Sequence, residues 1–274
     1  VDLEVNLIGN TFAHHTEPFS STHGKGSKFI TWKKDNSAGI SLHVDDGLFQ
    51  EGPLHVKPEN RYGWLLEAES ITPQFYSNAP RVLDRYNKIF TSNESLLRLD
   101  SRFVGPIPLG MIWIKEPKIH VKTKRISMIS SNKAMVPGHL YRLYWAEKLK
   151  NQVDMFGRGF NEIDSKEEGL NEYMFSVAIE NCGFGMTSKN YFTEKILDCF
   201  ATGTIPVYFG CSNIPDYFNP DGVIELNDSL DLAKLDRAEY EKRFEAVKDN
   251  FDLCLEYEVM EDYIFTHHLK DTYQ

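Results

Sequence analysis

Phe175-Ser176-Val177-Ala178-Ile179-Glu180-Asn181, then Tyr191-Phe192-Thr193-Glu194-Lys195-Ile196, then Gly203-Thr204-Ile205-Pro206-Val207-Tyr208-Phe209-Gly210 is the stretch that decides the fold. The first run is short, almost continuously apolar and ends on two polar residues, as a strand buried on both faces does. A loop follows from Cys182 to Asn190. Thr193 then opens a helix that buries Ile196, Leu197 and Phe200 and closes at Gly203. Thr204 to Phe209 is apolar again and stops at Gly210. Strand, helix and strand at this spacing mean a parallel sheet with crossover helices.

The pattern extends both ways. Ile126 to Ser130, Tyr173 to Ile179 and Val223 to Leu226 read as further strands of this sheet, and Gly138 to Lys150 as a helix. Residues 232–251 read as one amphipathic helix with Tyr240, Phe244, Val247 and Phe251 on its apolar stripe. Upstream, Val5 to Ile8, Phe29 to Trp32, Ile40 to Val44, Trp64 to Leu66 and Lys88 to Thr91 read as strands, with a short helix from Arg81 to Asn87. Between the halves, Lys115 to Arg125 carries four lysines and Arg125 around Pro117 and reads as a solvated linker. The expected organisation is α/β with two Rossmann-like domains, residues 1–120 and 121–274. Sheets of this kind bind ligands at the carboxyl ends of their strands.

Composition narrows the function classes. The 274 residues are 41% hydrophobic and 26% charged, enough for a sizeable core. A formal net charge of −10 argues against a general nucleic-acid binder, whose affinity rests on neutralising phosphates. No apolar run approaches the ~20 residues of a membrane span. The chain opens on Val1-Asp2-Leu3-Glu4 without the basic start and apolar stretch of a signal peptide. A cytoplasmic or membrane-peripheral protein fits that opening, and a lumenal one fits if the chain is a trimmed catalytic domain. Cys182, Cys199, Cys211 and Cys254 form no C-x-x-C pair and read as free buried thiols. His14, His15 and His23 sit in a polar segment with no Cys or carboxylate at ligand spacing, so a surface loop is expected there and no metal site.

The chemistry concentrates where the helix at Thr193 begins. Its first turn points out of the core, and free backbone N–H groups with the helix dipole behind them suit a phosphate. Lys195 adds a full charge. Against this, Thr193 could merely cap a helix whose Glu194 and Lys195 are surface residues. Arg142 favours the phosphate, because it shares a helix face with Ala146 and Leu149 rather than with Lys148. An arginine on a packed face needs a specific anion, and an internal salt bridge to Glu194 or Asp198 is the competing account.

These segments resemble the donor-binding signature of the α-1,3/4-fucosyltransferases, glycosyltransferase family ten, which shows "YKFxLxFEN", "YVTEKI" and "TIPVYxG" in the same order. Asn219-Pro220 before the Val223 strand is similar to that family's "FNPxxFI". The resemblance is strongest from about residue 126 to 226. Ile179 stands where the family usually has Phe, and the loop from Cys182 to Asn190 is longer than in bacterial members. The resemblance implies a GT-B architecture, two domains facing across a cleft, with GDP-fucose as donor. It implies that Asn181, Tyr191, Glu194 and Lys195 line the pyrophosphate and fucose, and that Arg142, after Ser131-Asn132, is the phosphate-binding arginine. It also implies inversion at fucose with a first-domain carboxylate as general base. Glu67-Ala68-Glu69-Ser70 is similar to the family's "ENES" or "FESP" segment, whose bacterial spacing favours Glu67 and whose animal form favours Glu69.

The chain contains no Asp-x-Asp, the usual divalent-metal holder of single-sheet glycosyltransferases. No metal or cofactor is therefore expected, and Arg142, Lys195 and backbone donors are left to stabilise the leaving diphosphate. The expected partners are a GDP-sugar and a glycan acceptor, contacted through residues 10–28 and 45–60. Two other readings share the pattern: a transferase of the same architecture with another donor, such as an exostosin-like enzyme using UDP-sugars, and a catalytically idle sugar-binding module.

Overall fold

The computed structural model of the chain describes residues 2–10, 25–50, 55–107 and 111–273. The chain divides into two compact units, Val1–Met111 with Val259–Gln274, and Ile112–Glu258. In the first unit, the described strands are β1 (Leu3–Ile8), β2 (Ile30–Lys33), β3 (Ile40–Val44), β4 (Arg61–Trp64), β5 (Lys88–Phe90) and β6 (Phe103–Val104), joined with α1 (Pro73–Val82) and α2 (Glu94–Leu99). They form one sheet in the order β2-β1-β3-β4-β5-β6. Every pairing in it is parallel. Leu48, Leu65, Tyr76, Ala79, Leu83, Ile89 and Phe103 pack as the core between the sheet and α1.

The second unit contains β7 (Lys124–Ile129), α3 (Pro137–Leu149), β8 (Asp154–Phe156), α4 (Glu167–Leu170), β9 (Tyr173–Ile179), α5 (Glu194–Thr202), β10 (Ile205–Phe209), β11 (Ile224–Glu225), α6 (Arg237–Lys242) and α7 (Phe244–Cys254). Its parallel sheet runs β11-β10-β9-β7-β8. Central β9 is buried at every residue, because helices cover both faces of a parallel sheet. Gly203 ends α5 with φ +71°, a left-handed conformation that glycine adopts without a Cβ clash. All four cysteines are free and buried.

Several elements differ from expectation, each for a local reason. The helix expected over 81–87 lies at 73–82 and passes into a 3-10 turn at Leu83–Arg85; Pro73 occupies its favoured first position. The single helix expected over 232–251 is a 3-10 turn at Leu232–Lys234 followed by α6 and α7. Asp236 caps α6, and Arg243 at the break donates to Asp221 O at 2.7 Å. Tyr240 and Val247 of the expected stripe are buried, whereas Phe244 is 37% exposed.

The segment from Lys115 to Arg125 is not a solvated linker. Lys122 is buried, and its Nζ donates to Thr202 O (2.7 Å), Thr204 Oγ1 (2.9 Å) and Asn171 O (3.0 Å). Lys118 N and His120 N donate to Ala201 O and Thr202 O, so the segment is stitched to α5. The division accordingly falls at 111/112 rather than 120/121.

Residues 259–274, expected in the second domain, return to the first unit through α8 (Met260–Ile264), a π-helical turn (Phe265–Leu269) and α9 (Lys270–Tyr273). Phe265 stacks on Phe29 at 4.5 Å, and Lys28 N donates to Asp262 Oδ1 at 2.9 Å. The histidine-rich segment with His14, His15 and His23 lies outside the described residues, as do 51–54 of the expected second acceptor loop.

Candidate active site

In the second unit, the site grows from the carboxyl end of β9. Glu180 continues the ladder, its N–H donating to Phe209 O at 2.9 Å, and its side chain is wholly buried. Its carboxylate accepts from Thr193 N (2.9 Å), Thr193 Oγ1 (2.6 Å) and Tyr208 OH (3.3 Å). Burial pushes this carboxyl up, with Lys195 and the Thr193 hydrogen bonds opposing. Glu180 thus clamps the start of α5 onto the sheet.

The loop between them is also anchored. Ser188 N donates to Gly210 O, and Asn190 N donates to Asn213 Oδ1 at 2.7 Å while Tyr217 OH donates to Asn190 Oδ1 at 2.9 Å. Buried Phe192 packs edge-on against Tyr217, Phe218 and Tyr257. Tyr191 therefore enters the site from a fixed backbone.

The first turn of α5 is more occupied than expected. Thr193 N is spent on Glu180, and Lys195 N donates to Thr193 Oγ1 at 3.4 Å, so Thr193 does cap the helix. Lys195 Nζ is nonetheless turned into the site, 3.1 Å from Glu194 Oε1, 3.1 Å from Thr193 Oγ1 and 3.6 Å from Glu180 Oε2. Burial pushes the Glu194 carboxyl up, but Lys195, Lys166 and hydrogen bonds from Lys195 and Thr193 outweigh it and hold it well below the usual range.

Arg142 arrives from α3. Gly138 makes this possible, because a Cβ there would lie 2.6 Å from Cys182 O and 3.0 Å from Asn181 Cα. The first turn of α3 therefore rests directly on the end of β9. One turn on, Arg142 is 7% exposed and its NH1 donates to Asn181 Oδ1 at 3.2 Å. Arg142 Nε is buried without a hydrogen-bond partner, and no carboxylate among the described residues lies within ion-pair distance of the guanidinium. The internal salt bridge offered as the competing account is not formed. Burial pulls the guanidinium down, and Glu194, Glu180 and Tyr191 act the other way. A buried cation with an unused donor has the chemistry of an anion site.

Residues 119–244 match the family described as Glycosyltransferase family 10 (fucosyltransferase) C-term. The match falls inside the second unit and spans somewhat less than half of the chain. Helicobacter pylori alpha-(1,3)-fucosyltransferase FucT is 37% identical over 71 residues, 26% of this chain and 14% of that protein. The 4-galactosyl-N-acetylglucosaminide 3-alpha-L-fucosyltransferase 9 of Cricetulus griseus is 27% identical over 163 residues, 55% of this chain and 42% of that protein. The chain thus aligns with less than half the length of these relatives. The crystal structure of an alpha1,3-fucosyltransferase with GDP matches with a TM-score of 0.54 at 14% identity, covering 95% of this chain and 92% of that one. At that identity the likeness concerns the fold, which is the GT-B type of glycosyltransferases.

The matched residues include Arg142, Asn181, Tyr191, Glu194 and Lys195: Arg142 comes from α3, Asn181 and Tyr191 from the chain between β9 and α5, and Glu194 and Lys195 from the first turn of α5. Glu67 and Glu69 belong to the first unit. They are not in a strand: β4 ends at Trp64, and both lie exposed in the turn before α1, where Ile71 N and Thr72 N close on Ala68 O. Buried Asp45 accepts from Leu66 N (2.8 Å) and Glu67 N (3.2 Å), and Tyr76 OH donates to Glu67 O at 2.6 Å. Glu69 Oε2 accepts from Asn93 Nδ2 at 2.7 Å. Sequence reading passed over Lys166, which pairs with Asp198 at 2.7 Å and lies 3.6 Å from Glu194, and it offered Asp198 only as a partner for Arg142. Lys166 stands in the charged run Asp164-Ser165-Lys166-Glu167-Glu168, which looks like ordinary surface.

Proposed function

We propose that the chain transfers fucose from GDP-fucose to a hydroxyl of a glycan, with inversion and without a metal ion. The observation that carries the reading is Arg142, a buried guanidinium with an unpartnered Nε inside the stretch that matches family 10, next to Asn181. A diphosphate satisfies that donor. Lys195 adds a second cation at the same end of β9. The metal-free part rests on these two cations and on a chain without Asp-x-Asp.

In this reading the acceptor oxygen bonds to the anomeric carbon of fucose as the bond from that carbon to the β-phosphate oxygen breaks. The proton of the hydroxyl goes to a carboxylate of the first unit, Glu67 before Glu69. GDP leaves with added negative charge, and Arg142 and Lys195 act mainly there, where charge grows. The second unit is thus the donor-binding domain, and the first is the acceptor-binding domain. Among the described residues, no helix is long and apolar enough to cross a membrane.

Thermal unfolding tests the donor. Ligand at ~100 times its dissociation constant adds about 2.7 kcal/mol of stability. GDP is expected to raise the melting temperature of the chain clearly more than UDP does, and Arg142→Ala is expected to lose that rise. A UDP response exceeding that of GDP would overturn the donor assignment.

A further inference from the structure

The cations and carboxylates at the start of α5 form an alternating chain. Glu180 Oε2 is 3.6 Å from Lys195 Nζ, which is 3.1 Å from Glu194 Oε1, which is 3.6 Å from Lys166 Nζ, which is 2.7 Å from Asp198 Oδ2. Both ends are pinned by backbone. Glu180 accepts from Thr193 N at 2.9 Å, and Asp198 Oδ1 accepts from Trp113 N at 2.7 Å. Lys166 Nζ also lies 4.4 Å from the centre of the Trp113 ring, which fixes it from a third side.

Glu194 and Asp198 are four residues apart on one helix, so their carboxylates share a face and repel. Lys166, reaching in from before α4, bridges them. With it, Arg142, Lys166 and Lys195 balance Glu180, Glu194 and Asp198. Without it, Lys195 alone would answer both Glu180 and Glu194, and its charge would be drawn away from an incoming diphosphate. We infer that Lys166 is a positioning residue of the donor site: it holds the Glu194 carboxylate, and through Glu194 it leaves the Lys195 ammonium available to the diphosphate. The inference rests on the donor reading above. The ionisation balance agrees with it: burial pulls the Lys166 ammonium down, but Asp198 and Glu194 outweigh burial and the net shift is upward.

A merely structural Lys166 would serve only to neutralise Asp198, which is 1% exposed. Two variants separate the roles. Lys166→Met strands the Asp198 charge and is expected to lose both stability and GDP binding. Lys166→Met with Asp198→Asn removes the stranded charge while keeping an amide oxygen for Trp113 N. Calorimetric titration with GDP, alongside thermal melts, is expected to give a double variant with near wild-type melting temperature whose GDP affinity stays down by roughly tenfold or more. Lys166→Arg, which can still reach both carboxylates, is expected to recover most of the affinity. A double variant that binds GDP like wild type, or a Lys166→Arg variant as weak as Lys166→Met, would overturn the inference. Failure of the wild-type chain to bind GDP would instead overturn the donor reading on which it stands.

Discussion

Glu67 and Glu69 are two residues apart, and the structure separates their surroundings. The Glu67 backbone is held at both ends of its peptide: Asp45 takes its N–H, and Tyr76 OH donates to its carbonyl. Its side chain is exposed while its backbone cannot drift, a suitable footing for a group that must meet a hydroxyl in one geometry. Among the described residues, Glu67 Oε1 accepts only a backbone bond, from the adjacent Ala68 N at 2.9 Å, whereas the Glu69 carboxylate accepts from the side chain of Asn93, which also caps α2 through Leu96 N. Glu67→Gln keeps the shape and a hydrogen bond but cannot take a proton at neutral pH. General-base assistance contributes ~10²- to 10⁴-fold, so turnover is expected to fall by about 3–5 kcal/mol of barrier while GDP affinity is unchanged. Glu69→Gln is expected to keep most of the turnover. Steady-state rates for both variants, with GDP titrations beside them, decide it. Full turnover in both would place the base elsewhere.

Helix α3 shows how one backbone position sets a site. Gly138 lets the helix rest on Asn181 and Cys182, and this contact puts Arg142 beside Asn181. A Cβ at 138 must push the helix away from backbone atoms that have no rotamer to yield. Gly138→Ala is therefore expected to cost about 1–3 kcal/mol, the range for overpacking, and to weaken GDP binding because Arg142 moves with the helix. Gly39→Ala, where a Cβ would meet nothing within 4 Å, serves as the control in the same melts and titrations. If Gly138→Ala binds GDP as wild type does, close docking of α3 is not what positions the guanidinium.

At this scale the sequence was most readable where a segment depends on its own neighbours. The limits of β9, the Thr193 cap and the Gly203 stop follow from a continuous apolar run and from local hydrogen bonding. The shorter and less regular elements were harder to read. Strands β6 and β8 are two and three residues long, too short for a periodic signal, and α1 begins at Pro73 within a stretch rich in turn formers. The break between α6 and α7 depends on Arg243 reaching Asp221, a partner 22 positions away that no local pattern reveals.

Over the whole molecule, the division into two units follows contacts that span most of the chain. Residues 259–273 join the first unit because Phe265 finds Phe29 and Tyr273 OH meets Tyr62 OH at 3.0 Å, partners more than 200 positions apart. Lys122 shows the same limit: its neighbours Lys118 and Lys124 suggest a solvated stretch, yet its ammonium ends among oxygens supplied by residues 171–204. The charged cluster at the start of α5, the proposed donor site, was legible only in part. Arg142, Glu194 and Lys195 stand in recognisable segments, whereas Lys166 enters from a run of surface-like charge and acquires its setting only through the fold.

The most direct test of the central claim is fucose transfer itself. The chain is incubated with GDP-fucose and a panel of glycans in the presence of EDTA, with UDP-sugars in parallel, and GDP or UDP release and labelled product are followed. The account predicts acceptor-dependent GDP release with fucose joined to the glycan in inverted configuration, at a rate EDTA leaves nearly unchanged. Turnover of a UDP-sugar with none of GDP-fucose would contradict it, as would activity with GDP-fucose that EDTA abolishes and a divalent metal restores.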